Sequence, residues 1–276
     1  MNKQYVTALS FEEYKEKFKD FLIIERKNGI ISARMHTEGG PVRWGIGRHN
    51  ALPEAFQVIG NDPDNEVFII TSTGPYWIGL SEPHDPEGMG ADHYDLVYYD
   101  ATKIIENIVY SLDIPTIAAV NGPGHQTGWA LMCDITLCTD DVLFQDFHFN
   151  LESPPGDGQG LTFQELLGTK RSAYYLYTGD NIDAKTALEW GMVNEIVPRE
   201  KLMNRAWEIA EKIMKRHRIT RRVTSQIVKR PWKRRLQDDF QFHIAAEMYS
   251  TQMMKTLNVQ RGSHDMIREA WEKRNK

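Results

Sequence analysis

The strongest constraint on this chain is a repeating cycle: a short apolar run, a cluster of turn residues, then an amphipathic stretch. Residues 66–74 (EVFIITSTG), 114–122 (IPTIAAVNG) and 134–140 (DITLCTD) carry apolar and β-branched side chains in near-continuous succession. A strand with one face in water alternates, so these runs read as strands buried on both faces. A helix is predicted over 49–59, before the first run. Between the first two runs, Leu96, Ile104, Ile105, Ile108 and Leu112 fall on an amphipathic stretch. Strands alternating with helices predict a mainly parallel sheet with right-handed crossovers. Upstream, residues 21–37 read as two strands around Asn28-Gly29, a dipeptide suited to the positive-φ positions of a tight hairpin turn. From about residue 199 the pattern changes to two long helical periodicities, 201–228 and 236–257, with no convincing strand. The expected fold class is therefore an α/β core over 1–200 followed by a helical region over 201–276.

Composition narrows the functional classes. With 276 residues, 41% hydrophobic and 26% charged, the chain reads as a soluble globular protein able to bury a large core. Only two cysteines occur, Cys133 and Cys138, which excludes a disulfide framework or a four-cysteine zinc site and suits a reducing cytoplasmic setting. The nine histidines include no HxH or HxxxH pair, so no metal is expected. The charged first residues lack a secretory apolar region, and no apolar run approaches the roughly 18 residues of a membrane span. A net charge of −5 gives no global reason to expect nucleic acid or an anionic membrane. The exception is 212–235, rich in Lys and Arg, free of acid and interrupted by Pro231. It reads as a solvated helix face or subunit contact, with an RNA-binding scaffold as the competing reading. GPGHQTG has GxGxxxG spacing rather than the dinucleotide fingerprint and reads as a turn, and no GxxxxGK[ST], HExxH or GxSxG occurs.

One segment carries candidate chemistry. In VLFQDFHFNLESPPGDG, His148 stands among Phe144, Phe147 and Phe149, nine residues before Asp157 in a Pro-Pro-Gly-Asp-Gly turn. An aromatic-flanked histidine is commonly a satisfied structural residue. The functional alternative is a His-Asp dyad, in which the carboxylate orients one ring nitrogen and leaves the other to deprotonate water.

The runs EVFIITSTGP, IPTIAAVNGP, ALMCDITLCTDDVLFQ, PPGDG and YLYTGDNIDAKTALEWGMVNEIVP, with the basic helix pair after them, resemble the crotonase (enoyl-CoA hydratase/isomerase) superfamily over nearly the whole chain. The resemblance implies a crotonase-like ββα spiral with a C-terminal helical trimerisation extension, hence a homotrimer or a dimer of trimers. Most members place a glycine-rich loop after Asn-Gly, with an amide in a thioester oxyanion hole and often a glutamate beyond. Here the stretch shortens to NGPGHQTGWALMCD, without that glutamate. HTEGG followed by Trp44 and His49, FQDFHF with His148, PPGDG with Asp157, and AAEMYS with Glu247 instead resemble the members that hydrolyse a C–C bond of a β-diketone without CoA. That likeness implies His148 and Asp157 as a water-activating dyad, His49 and Glu247 as polar site groups, and His125 or Gln126 as oxyanion stabiliser. Trp44, Tyr76, Trp77 and Trp129 are expected either to line the same cavity or to pack the core. The implied partner is a small diketone, with no cofactor, no nucleic acid and no membrane; a CoA-thioester hydratase, isomerase or hydrolase is the alternative.

Overall fold

The computed structural model describes residues 8–81 and 101–259. The first half contains α1 (Phe11–Lys17), β1 (Leu22–Lys27), β2 (Ile30–Met35), β3 (Arg43–Trp44), α2 (Ile46–Asn61), β4 (Val67–Ser72), β5 (Leu80–Ser81), α3 (Ala101–Glu106) and β6 (Thr116–Val120). Next come α4 (Gly128–Leu131), β7 (Ile135–Cys138), β8 (Leu143–Phe144), α5 (Gln159–Thr178), β9 (Ile182–Asp183), α6 (Ala184–Glu189) and β10 (Glu195–Ile196). The last described elements are helical: α7 (Arg199–Met214), α8 (Arg218–Val228), α9 (Arg230–Arg235) and α10 (Gln241–Thr256). None of the described helices is long and apolar enough to cross a membrane.

Six strands form one sheet in the order β1-β2-β4-β6-β7-β10. All neighbours are parallel except β1 and β2, the hairpin anticipated at Asn28-Gly29. Lys27 pairs with Ile30, and Asn28 and Gly29 take φ of 51° and 79°, the two positive values a two-residue turn of this kind requires. The three apolar runs are β4, β6 and β7, and successive side chains go to opposite faces. Val67, Ile69, Ile117, Ala119 and Leu137 pack with Leu202, Ala206 and Ala210 of α7. Phe68, Ile70, Ala118, Val120 and Cys138 join the larger core with Ala55, Phe56 and Ile59 of α2. Both faces are covered, which is why the runs do not alternate.

Two helical expectations are refined. Residues 201–228 are not one helix: α7 ends at Met214, and His217 adopts φ −58°, ψ 143° while its ring accepts the Ile219 N–H to cap α8. Residues 236–240 form a wider π turn that leads into α10. Leu96, part of the predicted amphipathic stretch, lies outside the described residues.

Part of the basic run is an internal clamp, while Lys212, Lys215, Arg216, Arg230 and Arg234 are exposed. Arg218 and Arg221 pair with Glu66, and Arg222 donates to the Asn65 carbonyl. Lys229 is fully buried; it pairs with Asp134 and donates to the Ile114 carbonyl at 3.1 Å and to Thr116 Oγ1 at 3.3 Å. It ties the helical tail to the entrance of β6. Removing one partner of a buried pair strands the other charge, so Lys229→Ala is expected to lower the unfolding free energy by about 3–5 kcal/mol in denaturant titration. The double substitution Lys229→Met/Asp134→Asn should recover most of that loss, whereas a single-variant loss below about 1 kcal/mol would mean the pair behaves as a surface bridge.

Candidate active site

The loops leaving β4 and β6 are stitched together. Trp77 N–H donates to Pro123 O at 3.0 Å, His125 N–H to Ile78 O at 3.1 Å, and Asn121 Nδ2 to the Gly74 and Tyr76 carbonyls at 2.7 and 3.1 Å. Only glycine fits at 122, where an added Cβ would lie 1.9 Å from Pro75 O. This approach delivers His125 and Gln126 to a fixed place. Gln126 takes φ 58°, a left-handed conformation uncommon outside glycine that is worth testing for function. Its side chain donates to Asp157 Oδ2 at 2.9 Å.

His148 arrives from the other side, on a turn that follows β8. Leu151 N–H and Ser153 N–H both donate to the His148 carbonyl, at 2.9 and 2.8 Å, closing the turn. Gly156 in the Pro-Pro-Gly-Asp-Gly turn lets α10 pass so closely that an added Cβ would fall 2.5 Å from the His243 carbonyl and 2.7 Å from Glu247 Oε2. Three carboxylates thus surround one ring. His148 Nδ1 lies 3.0 Å from Asp146 Oδ2, while Nε2 lies 3.6 Å from Asp157 Oδ2 and 3.9 Å from Glu247 Oε1. His125, Gln126, Asp146, His148, Asp157 and Gln159 are among the residues bordering a cavity of about 50 Å³, which is room for water rather than for a ring.

Burial by itself would lower the His148 pKa; the charges of Asp157 and Asp146, the Asp146 hydrogen bond and the charge of Glu247 outweigh it and hold the imidazole well above its ordinary 6.5. The neighbours thus favour the protonated ring. Neither cysteine competes as a nucleophile, since burial pushes both thiols up to about 12. Among the described residues no group of side chains has metal-site geometry.

Of the sequence candidates, His148, Asp157, His125, Gln126 and Glu247 converge. Asp157 stands on the Nε2 side of the ring, so the carboxylate on Nδ1 is not the one the sequence suggested but Asp146. An aspartate two residues before the histidine whose N–H it accepts, at 3.0 Å, is an Asx-type turn, and that spacing was a readable signal. Trp44 and His49 form a pair of their own at the β3–α2 junction: Trp44 Nε1–H donates to His49 Nε2 at 3.0 Å, and neither borders the cavity beside His148. Trp77 and Trp129 are core residues, their rings 5.0 Å apart, and neither borders that cavity, so of the two alternatives they take the second, packing the core. His36 of HTEGG is also structural, its Nδ1 accepting the Gly39 N–H and its Nε2 donating to the Lys19 carbonyl. Gln159 was missed: it is buried, borders the cavity, and its Nε2 has no hydrogen-bond partner among the described residues. A larger cavity of about 860 Å³ lies across the 149–155 turn, against α5 and α10. It holds no histidine, and its ionisable residues are Glu152, Glu165, Tyr177 and Arg235, so chemistry rather than size points to the His148 side.

Comparison with known proteins gives a consistent picture. The sequence matches the enoyl-CoA hydratase/isomerase family over residues 49–274. The structure superposes on a β-diketone hydrolase from the cyanobacterium Anabaena sp. PCC 7120, bound to (S)-3-oxocyclohexyl acetic acid, with a TM-score of 0.83 and 31% identity over 90% of this chain and 100% of that one. An enoyl-CoA hydratase/isomerase from Mycobacterium paratuberculosis shares the fold, with a TM-score of 0.76 at 21% identity over 84% of this chain and 93% of that one. Carnitinyl-CoA dehydratase of Citrobacter koseri is 32% identical over 59% of this chain and 63% of its own length. Hydroxycinnamoyl-CoA hydratase-lyase of Pseudomonas fluorescens is 26% identical over 64% of this chain and 66% of its own. The aligned stretch therefore spans just under two thirds of these two relatives.

The ring's charge has a measurable signature. In an NMR titration the His148 midpoint is expected above 6.5. Because the folded pKa is raised, the stability His148 contributes is fully present below its unfolded pKa and is lost as pH rises through the folded one. The difference in unfolding free energy between wild type and His148→Gln should therefore shrink as pH climbs through that midpoint; a difference flat in pH would contradict the assignment.

Proposed function

Because the chain belongs to the enoyl-CoA hydratase/isomerase family, with its crotonase fold, yet centres its polar cavity on a histidine ringed by carboxylates, we propose that it hydrolyses a C–C bond of a cyclic or bicyclic β-diketone. The observation that carries this reading is the His148 cluster. His148 borders a water-sized cavity with His125, Asp146, Asp157 and Gln159, and Asp157 and Glu247 stand on the Nε2 side of its ring.

In the proposed reaction, His148 in its neutral form accepts a proton through Nε2 from a water that attacks one carbonyl carbon. The imidazolium so formed is the state its neighbours favour. Negative charge developing on the carbonyl oxygen is met by the His125 ring and the Gln159 amide. Collapse of the tetrahedral adduct breaks the bond between that carbon and the carbon flanked by the two carbonyls, expelling an enolate. The enolate carbon takes a proton back from His148. One water is added, leaving a carboxylic acid and a ketone, joined in one molecule where the diketone was cyclic. The ligand of the Anabaena enzyme, (S)-3-oxocyclohexyl acetic acid, carries that same pair of groups, which supports the reading. A cyclic diketone is larger than the space among the described residues, so the reading expects the site to widen when substrate binds.

Two observations weigh against thioester chemistry. The His125 N–H is already donated to Ile78 O, and a committed amide is a poor oxyanion donor. The post-Asn-Gly stretch also has no glutamate. The CoA reading rests on the carnitinyl-CoA and hydroxycinnamoyl-CoA relatives and is tested by acyl-CoA binding, which the diketone reading expects to be absent.

Purified protein incubated with cyclic and bicyclic 1,3-diketones, without CoA and with EDTA, is expected to yield products one water heavier by mass spectrometry. His148→Ala should lower kcat roughly 10²- to 10⁴-fold, and the acidic limb of kcat/KM should lie above 6.5. Near-wild-type turnover by the folded variant would overturn the role of His148.

The same reading includes a homotrimer or dimer of trimers. Ile219, Val223 and Ile227, at successive four-residue intervals on α8, are 66%, 54% and 68% exposed, and Phe242 and Tyr249 on α10 are 74% and 68% exposed. Apolar side chains clustered in this way mark association surfaces. Sedimentation at low micromolar concentration is expected to give a trimer or hexamer; a monomer would contradict it.

A further inference from the structure

His148 has two ring nitrogens with different duties, and the carboxylates divide between them. On Nδ1 stands Asp146, only 2% exposed. Its two oxygens are both used by the histidine two residues later: Oδ1 accepts the His148 backbone N–H at 3.0 Å, and Oδ2 faces Nδ1 at 3.0 Å. On the Nε2 side stand Asp157 from the Pro-Pro-Gly-Asp-Gly turn and Glu247 from α10, both beyond direct hydrogen-bond distance, at 3.6 and 3.9 Å. A separation of that kind is commonly spanned by water. Asp157 is also held from elsewhere, by Gln126 Nε2 at 2.9 Å, and its Oδ1 lies 3.5 Å from the Gln159 amide nitrogen at the start of α5. Nothing comparable links Asp157 to Nδ1.

We propose that Asp146 is the positioning residue that holds the proton of neutral His148 on Nδ1 and turns Nε2 to the cavity, and that Asp157 and Glu247 act on the Nε2 side alone. This rests on the reading of His148 as the proton-transfer group only for its kinetic consequence; the orientation itself is a property of the free protein. The device works because Asp146 offers two acceptors to two donors that share one residue. A backbone N–H cannot change its state, whereas an imidazole can move its proton to the other nitrogen. In Asp146→Asn one oxygen becomes an NH₂ group. The remaining oxygen stays with the backbone N–H, the NH₂ then faces Nδ1, and the ring is forced into the tautomer with its proton on Nε2. That tautomer presents an N–H to water where a lone pair is required. Replacing a buried orienting aspartate by asparagine has this consequence in the serine-protease triad.

The groups that bear on the ring's titration come from three segments: Asp146 from the segment after β8, Asp157 from the turn before α5 and Glu247 from α10; His125, from the loop after β6, borders the same cavity. Asp146→Asn and Asp157→Asn each remove a carboxylate and should both lower the His148 midpoint, so the midpoint does not distinguish them. The tautomer does.

The test is long-range ¹H–¹⁵N spectroscopy of protein labelled at the imidazole nitrogens. Spectra are recorded above the His148 midpoint, with the His148 signals identified among the nine histidines by their absence in His148→Gln. The expected result is an Nδ1–H tautomer in wild type and in Asp157→Asn, and an Nε2–H tautomer in Asp146→Asn. On a diketone that the wild type hydrolyses, Asp146→Asn should lose roughly 10²- to 10⁴-fold in kcat with KM within a few-fold. Retention of the Nδ1–H tautomer in Asp146→Asn, or its loss in Asp157→Asn, would overturn the proposal, as would a switched tautomer with undiminished kcat. Where Asp146→Asn does not fold, the wild-type and Asp157→Asn spectra decide the orientation by themselves. Absence of turnover on every diketone would count against the proposed reaction and leave the spectroscopic result intact.

Discussion

The site depends on one close approach between backbones, where the loop leaving β6 lies against the loop leaving β4. Gly122 permits it, and three backbone and side-chain donors hold it: Trp77 N–H to Pro123, His125 N–H to Ile78, and Asn121 Nδ2 to the Gly74 and Tyr76 carbonyls. On the Nε2 side of His148, Asp157 takes its position from that contact. The contact fixes Gln126 in a left-handed conformation, Gln126 holds Asp157, and Asp157 faces the imidazole across a gap suited to water. The loops can bear this load because they leave adjacent parallel strands whose side chains are buried on both faces. Rigid strand ends place loop residues more reproducibly than a free loop could.

The opposite side is built independently. Asp146 and His148 are two residues apart on a closed turn, so their geometry needs no long-range contact, whereas Glu247 reaches the ring only because Gly156 leaves no side chain between the turn and α10. Local, intermediate and distant segments therefore supply one carboxylate each. Three negative groups in so small a volume repel one another, and the imidazolium is what makes the cluster tolerable. The carboxylates that would tune the ring for proton transfer in the proposed reaction thus also favour its charged form in the free protein.

How much of this was legible in the sequence follows from the range of each interaction. Period and punctuation are local, so the hairpin at Asn28-Gly29, the doubly buried strands and the helical tail after residue 199 could be read directly. The break at residues 215–217 could not, because the apolar period continues through it and the cap is a histidine, an uncommon N-cap. His148, Asp157, His125, Gln126 and Glu247 were named from motif order, yet which nitrogen each carboxylate faces is three-dimensional information. That is how Asp157 came to be given the place that Asp146 occupies. Trp77 and Trp129 show the same limit: a tryptophan in a loop sequence can face a ligand or fill a core, and only the packing of neighbouring elements decides.

The charge balance of the cluster also bears on the proposed cycle. A diketone is neutral, and the enolate formed from it in the proposed reaction is anionic. Asp146, Asp157 and Glu247 together outnumber the single imidazolium, so the cluster does not attract anions for their own sake. It tolerates a developing negative charge where His125 and the Gln159 amide can reach it, while His148 holds a proton ready for transfer. Once that proton has gone to carbon the ring is left neutral, and its carboxylate neighbours favour its taking up the proton that the acid product gives up. In the proposed cycle the same electrostatics that position the proton carrier would thus recharge it, the new carboxylate and the imidazolium appearing together.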